Sequence, residues 1–270
     1  MISESLAGKR IAVTGSTGFL GTALVERILR EVPDCELVLL VRPTRRNSAE
    51  RRVQREILRN DAFDSLRSQW GESFEETCDQ RISVVSGDVS ADGLGLSDLD
   101  RRLFISADVI IHSAATVSFD SPLDSSIEIN LLGPNRIVQL LNEEAVTPHL
   151  IAVSTCYVAG NRRGAANEEL LAGTPFQVKV DWRAEVDAAR RTRSDLDARS
   201  RVPEELKRFG KGAREELGAA GLPMLAAKTE QLREAWVNDQ MVEAGRSRAT
   251  SLGWPDVYTS VSYTHLTLPT

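Results

Sequence analysis

Three glycines recur at intervals of three residues near the start of the chain, within the run Val13, Thr14, Gly15, Ser16, Thr17, Gly18, Phe19, Leu20 and Gly21. At this spacing Gly15 allows a tight turn, Gly18 lets the main chain approach a pyrophosphate, and Gly21 lets a helix lie close to the preceding strand. The helix N-terminus then offers N–H groups and its positive dipole end to the phosphates. A structural turn without a ligand could contain the same glycines, so their spacing alone does not establish a ligand-binding loop. The neighbouring elements must also fit.

The elements on either side of this loop supply that context. An apolar run predicts a strand at 9–14, an amphipathic pattern predicts a helix at 19–31, and a second apolar run predicts a strand at 36–41. A glycine-rich turn between a strand and a helix, followed by another strand, is typical of a dinucleotide-binding unit. We therefore expect the glycine run to bind the pyrophosphate of a dinucleotide.

The residue after the second strand indicates which dinucleotide this is. An acidic side chain there would hydrogen-bond the ribose 2′-hydroxyl of NAD, but this chain has Arg42. A guanidinium is suited to a 2′-phosphate because it is always charged and donates bidentate hydrogen bonds. Arg45 and Arg46 follow closely, but they equally fit the start of a solvated helix. We therefore expect NADP(H) rather than NAD(H), with Arg42 as the selecting residue.

Further candidate cofactor contacts follow the third and fourth predicted strands. Asp88, which is followed by Val89, could accept a hydrogen bond from the adenine amino group, and an ordinary turn aspartate is the alternative. His112 is expected to be structural rather than catalytic. Small residues after it would let a cofactor pass close to the main chain: Ala114, Ala115 and Thr116.

Two hydroxyl-bearing segments could act on a carbonyl group. Thr155 could polarise the carbonyl oxygen with Ser154 as a neighbouring donor, whereas Cys156 has no visible activating base and is not expected to be a nucleophile. Tyr258 could donate a proton to the oxygen as a hydride reaches the carbon. A phenol is a poor acid near pH 7 unless a cation lowers its pKa. A lysine one helical turn later would do this, but that position is Ser262.

The remaining pattern predicts the fold that positions these residues. Further apolar runs predict strands at 81–86, 108–112 and 149–154, and a helix is predicted at 123–141. Alternating strands and helices indicate an α/β protein with a Rossmann-type, doubly wound parallel sheet. The segment at about 161–251 is rich in Arg, Glu and Ala and predicts a helical insertion, whose charges form a solvated face or, alternatively, a lid over an elongated substrate.

Composition narrows the class of protein. The 270 residues carry a net charge of −6 with a pI of about 5.3, which gives no electrostatic reason to expect nucleic acid as a partner. The three cysteines form no CxxC pair, so neither a disulfide framework nor a metal site is expected: Cys35, Cys78 and Cys156. No signal peptide or membrane-spanning run is evident, and we expect a soluble, cytoplasmic protein.

The last ten residues differ from everything before them. Residues 261–270 back-translate to a string that looks like the end of a transposase adapter used in preparing sequencing libraries. We expect this tail to be non-native and exclude it from the fold. The predicted domain is therefore 1–260, including the helical insertion, and the gene is expected to continue beyond it.

Taken together, the motifs resemble the extended short-chain dehydrogenase/reductases, and within them the fatty acyl-CoA reductases and related thioester reductases. The matching pieces lie at Thr14 to Gly21, Val41 to Pro43, Gly87 to Val89, His112 to Ala115, Asn130 to Gly133, Val153 to Thr155 and Gly253 to Tyr258. The resemblance implies a Ser/Thr–Tyr–Lys catalytic set at Thr155, Tyr258 and position 262, the third member being absent here.

The resemblance implies NADPH-dependent reduction of a fatty acyl thioester, carried by CoA or acyl carrier protein, to an aldehyde or an alcohol. If the sheet is incomplete, the chain should bind NADPH weakly or not at all, and turnover should be poor. Peripheral membrane contact and the oligomeric state stay open. Two other functions also stay open: a different extended reductase or epimerase acting on a sugar nucleotide or steroid, and a non-catalytic NADP-binding regulator.

Overall fold

The computed structural model describes residues 2–161, 163–169 and 178–266. The chain divides into two compact units. The first unit contains Met1–Ala115 and Leu132–Ser154, and the second contains Thr116–Leu131 and Thr155–Thr270. Part of the predicted insertion, at 162 and 170–177, and the end of the predicted tail, at 267–270, lie outside the described residues.

The first unit is built on a five-stranded parallel sheet. Its strands are β1 (Arg10–Thr14), β2 (Glu36–Val41), β3 (Ile82–Ser86), β4 (Val109–His112) and β5 (His149–Ala152). Their order across the sheet is β3-β2-β1-β4-β5, with every neighbouring pair parallel. The direction of winding reverses between β1 and β4, and ligands of such sheets bind beyond the carboxyl ends of the strands at this point. The predicted doubly wound sheet is confirmed.

The helices alternate with the strands in the first unit and dominate the second. The α-helices are α1 (Ile2–Leu6), α2 (Phe19–Glu31), α3 (Ala49–Arg52), α4 (Asp64–Trp70), α5 (Phe74–Arg81), α6 (Asp98–Ile105), α7 (Leu123–Ser126), α8 (Leu132–Glu143), α9 (Trp182–Ser200), α10 (Pro203–Leu217), α11 (Leu225–Ser251) and α12 (Val257–Leu266). Two π-helical turns occur at Val53–Leu58 and Ile127–Leu131. Short 3-10 turns occur at Asp61–Phe63, Gly71–Ser73, Asp92–Gly95 and Ala219–Met224.

Burial explains why the first unit adopts this sheet. Consecutive residues of β1, from Ile11 to Val13, are fully buried, so both faces of the strand are covered as a parallel sheet requires. The apolar side of α2 joins the same core through Val25 and Leu29. Burying each such side chain stabilises the folded state by about 1.5–3 kcal/mol. The alternation of apolar strand segments with helices that have one apolar side therefore favours a sheet covered by helices.

The second unit is held by its helices. Leu196 of α9 packs with Val237 and Met241 of α11. Arg233 is buried and donates hydrogen bonds to Asp197, Glu230 and Ser200. Helical structure therefore fills much of the predicted insertion, although the first helix begins at Trp182 rather than near 161.

The two π-helical turns and the unit boundaries depart from the predicted outline. The single helix predicted at 123–141 is observed as α7, the turn at Ile127–Leu131, and α8. The second unit also contains Thr116–Leu131, which precedes the predicted insertion in the sequence. The single 1–260 domain and the non-native origin of the tail stay predictions, and residues up to Leu266 of that tail belong to α12.

Candidate cofactor and catalytic sites

The glycine run forms a tight turn between β1 and α2. Gly15 has φ of +76°, and its carbonyl accepts a hydrogen bond of 3.0 Å from the Gly18 N–H. A Cβ atom on Gly15 would lie 2.5 Å from the Ala114 nitrogen, and one on Gly21 would overlap the Gly15 carbonyl. Both positions therefore require glycine, as the spacing predicts.

The start of α2 is open to an anion. Gly18 is the N-cap residue in an extended conformation, and it has no side chain to cap the first turn. The N–H groups of Phe19, Leu20 and Gly21 belong to that turn and lack partners further back in the helix. Ser16 is 1% exposed, and its side-chain hydroxyl has no hydrogen-bond partner among the described residues. This arrangement fits a pyrophosphate, whose oxygens would accept from these groups.

The adjacent strand ends are fixed by a short hydrogen-bonded cluster. The Thr14 hydroxyl lies 2.7 Å from His112 Nδ1, and the Ala114 N–H donates to Thr14 Oγ1 at 3.3 Å. The Ser113 hydroxyl donates to the Thr14 carbonyl at 2.8 Å. His112 is 4% exposed, so its ring ties β1 to β4. This contact supports the expected structural role of His112.

The end of β2 presents a guanidinium at the surface. The Arg42 side chain is 60% exposed and its Nη1 lies 3.6 Å from Asp88 Oδ2, an ion pair that solvent weakens. Asp88 Oδ1 accepts hydrogen bonds from the Ser90 N–H at 2.9 Å and the Ser90 hydroxyl at 2.7 Å. Asp88 thus forms a side-chain-stabilised turn, which is the alternative to a contact with the adenine. The Val89 side chain packs against Gly133, where an added Cβ atom would lie 3.5 Å from it.

Sequence reasoning missed one cation beside this loop. Arg52 ends α3, and its guanidinium donates to the Arg42 carbonyl at 2.7 Å and to Thr17 Oγ1 at 3.4 Å. It also forms a double hydrogen bond with Glu56. The sequence signal is only a charged helical segment with an apolar side, in which Arg52 is indistinguishable from its solvated neighbours.

Thr116, the last of the predicted cofactor contacts, belongs to the second unit. Its main chain is held from both sides by Asn130, which accepts from the Thr116 N–H at 2.9 Å and donates to the Thr116 carbonyl at 2.8 Å. The Thr116 and Ser121 hydroxyls lie 3.0 Å apart. Asn130 therefore fixes the conformation of the segment that begins at Thr116.

The candidate catalytic hydroxyls are distributed over both units. Thr155 is partly buried in the second unit, and its Oγ1 accepts from the Tyr157 N–H at 3.2 Å, whereas Ser154 is exposed in the first unit. Cys156 is exposed. Tyr258 lies in α12, where its ring makes an edge-to-face contact with Phe119 at 5.7 Å between centroids.

Ser262 occupies the position at which the resemblance implies a lysine. Ser262 lies four residues after Tyr258 in α12 and is 6% exposed. A serine there brings no positive charge to the phenol of Tyr258.

Groups of three or more side chains arranged to hold a metal ion are absent from the part of the chain that the structure describes. No described helix is both long enough and apolar enough to cross a membrane.

Comparison with known proteins gives a consistent set of relatives. The sequence model of a family described as "Male sterility protein" matches residues 13–261. Fatty acyl-CoA reductase 2, chloroplastic, of Arabidopsis thaliana is 30% identical over 259 residues, covering 95% of this chain and 38% of the relative. Alcohol-forming fatty acyl-CoA reductase of Simmondsia chinensis is 29% identical over 260 residues, covering 95% and 47%.

One solved structure is similar to this chain in sequence. The terminal R domain from the myxalamid PKS-NRPS biosynthetic pathway is 30% identical, with a TM-score of 0.49, over 70% of this chain and 45% of that domain. The chain spans less than half the length of the two reductases described above, 38% and 47%.

Proposed function

Because the chain belongs to the male sterility protein family, we propose that it is the dinucleotide-binding part of an NADPH-dependent reductase of fatty acyl thioesters. The observation that carries this proposal is the uncapped glycine turn at the switch point of the sheet. The Ser16 hydroxyl inside that turn lacks a hydrogen-bond partner among the described residues. The fatty acyl-CoA reductases among its relatives supply the substrate class.

In this proposal the first unit binds the cofactor, which supplies a hydride when bound. The N–H groups from Phe19 to Gly21 and the Ser16 hydroxyl hold the pyrophosphate. Arg42 selects the adenosine 2′-phosphate, since its exposed guanidinium can exchange a weak ion pair with Asp88 for a doubly charged phosphate. Asp88 and the small residues Ala114 and Ala115 line the path of the adenosine and ribose. The contact expected from Thr116 stays a prediction.

The chemistry proposed for the catalytic hydroxyls is that of an acid and an oxyanion donor. The Thr155 hydroxyl, with Ser154 as its neighbour in the sequence, donates to the carbonyl oxygen of the thioester as negative charge develops there. Tyr258 donates a proton to the same oxygen. Loss of the thiol, which CoA or acyl carrier protein would carry, leaves an aldehyde, and a second round gives an alcohol. Without a cation at position 262, the proton transfer should be slower by roughly 10²–10⁴.

Activity of the complete gene product tests this function. We expect NADPH oxidation, followed by absorbance, with long-chain acyl-CoA, and a fall in kcat of roughly 10²–10⁴ in Tyr258→Phe and in Thr155→Ala because each removes a donor to the reacting oxygen. Tyr157→Phe is the matched control, since that ring is 64% exposed and carries no proposed role.

Two outcomes of this assay would overturn the function. One is the absence of cofactor oxidation with every acyl chain length alongside turnover of a sugar nucleotide. The other is full activity of Tyr258→Phe, which would show that Tyr258 is not the proton donor.

A cytoplasmic location stays a prediction, and one of the relatives is named as chloroplastic.

A further inference from the structure

Arg52 joins three segments of the first unit that would surround the adenosine end of the cofactor. It donates from Nη1 to the Arg42 carbonyl at 2.7 Å and from Nη2 to Thr17 Oγ1 at 3.4 Å. Its Nε and Nη2 donate to the two Glu56 oxygens at 2.8 and 2.7 Å. The glycine turn, the end of β2 and the turn after α3 therefore share one side chain, which is only 16% exposed.

A planar guanidinium has the geometry that these contacts require. Its five N–H groups point in fixed directions, and four of them are used by the contacts to Glu56, Arg42 and Thr17. Lysine has no rigid fork and could satisfy one or two of these acceptors at a time. Glu56 neutralises the charge, so Arg52 is poorly suited to attract a phosphate itself.

Arg42 has the opposite character. Its side chain is 60% exposed, and its ion pair with Asp88 is 3.6 Å long. The carbonyl oxygen of Arg42 accepts the 2.7 Å hydrogen bond from Arg52. The Arg42 guanidinium is therefore available to bind an anion, while Arg52 contacts the main chain from which the Arg42 side chain extends.

We propose that Arg52 is a positioning residue for cofactor selection: it holds the main chain of Arg42 against the glycine turn, so that Arg42 discriminates the adenosine 2′-phosphate. This inference rests on the proposed NADPH function and deepens it. Arg52 acts through Arg42 and does not contact the phosphate. Its loss therefore reduces the preference for NADPH over NADH rather than the affinity for both.

Titration of the complete gene product with NADPH and with NADH tests the assignment. The ratio of the two dissociation constants is measured by cofactor fluorescence for the wild type, Arg42→Gln, Arg52→Gln and the double variant. We expect each single substitution to lower the preference for NADPH about tenfold, and the double variant to show no further loss, since both act on one contact. Arg51→Gln is the matched control, because it removes an exposed arginine of the same helix.

A second pair of variants guards against misfolding. Arg52→Lys keeps the charge without the fork, and Glu56→Gln keeps Arg52 but removes its charged acceptor. Both should lower the preference while melting temperature and circular dichroism report a folded chain. A role of charge alone would instead let lysine restore the preference.

The outcomes separate the inference from the function beneath it. An unchanged preference in Arg52→Gln overturns the positioning role, and so do losses that add in the double variant, which would mean direct contact with the phosphate. A wild-type complete gene product with no preference, or with no affinity for either cofactor, overturns the proposed NADPH function itself.

Discussion

The ion pair between Arg52 and Glu56 should make the stability of the folded protein depend on pH. The hydrogen bonds from Arg52, assisted by the charges of Arg52 and Arg55, hold the pKa of the Glu56 carboxyl below its ordinary value, and burial opposes them only in part. The same pair raises the pKa of Arg52. A carboxyl whose pKa is lowered on folding stabilises the folded state while it is ionised.

The expected result follows from the sign of that shift. The contribution of Glu56 is complete above the unfolded pKa of about 4.3 and is lost as the pH falls through the lower, folded pKa. The melting temperature of Glu56→Gln should therefore lie below that of the wild type near pH 7, and the gap should close below about pH 4. A gap that stays constant between pH 7 and pH 3 would contradict the ion pair.

Single residues differ in how far the sequence reveals them. The glycines at 15 and 21 could be predicted because a turn and a close helix approach leave no room for a Cβ atom. The structural role of His112 could be predicted from its place at the end of a buried strand. Arg52 could not, because its importance arises from contacts with Thr17 and Arg42, 35 and 10 residues away in the sequence.

The packing of α11 shows what decides stability among elements. A Cβ atom on Gly245 would lie 2.5 Å from Val257 Cγ2 of α12 and 3.2 Å from Leu123 Cβ of α7. The small residue is therefore what allows these helices to approach each other. In contrast, a Cβ atom on Gly210 of α10 would meet no described atom within 4 Å.

Two alanine substitutions should consequently have opposite signs. Gly245→Ala overpacks the contact and should destabilise the protein by about 1–3 kcal/mol. Gly210→Ala should stabilise it by up to about 1 kcal/mol, because alanine is the better helix former in an uncrowded helix interior. Urea denaturation of the two variants measures both effects, and a loss of stability in both, or in neither, would show that this packing is misassigned.

Elements of the sheet are easier to predict than those of the second unit. The apolar runs place β1 and β2 within a residue of their observed bounds, because buried parallel strands are uninterrupted apolar runs. The π-helical turns at Val53–Leu58 and Ile127–Leu131 could not be predicted, since one extra residue in a turn hardly changes the apolar spacing. In the second unit, helical structure is predicted from about 161, whereas the first helix described there begins at Trp182.

At the scale of the whole molecule, the division into units could not be deduced from the order of segments. Thr116–Leu131 lies between two strands of the sheet in the sequence, yet it belongs to the second unit. Its contacts explain this: Asp124 receives hydrogen bonds from Arg193, and Glu128 receives one from Arg190, both on α9. These are long-range ion pairs, which local patterns do not encode.

The most direct test of the central claim is whether a folded chain with a blocked glycine turn loses NADPH. In Gly18→Val the added Cβ would lie 3.2 Å from the Gly15 carbonyl, and Gly18 has an ordinary extended φ of −84°, so the fold should survive. The branched side chain would occupy the space through which a pyrophosphate reaches the main chain of α2. Titration with NADPH should show at least a roughly tenfold weaker affinity than the wild type at a similar melting temperature. Equal affinity of the two proteins would contradict the claim that this turn holds the cofactor.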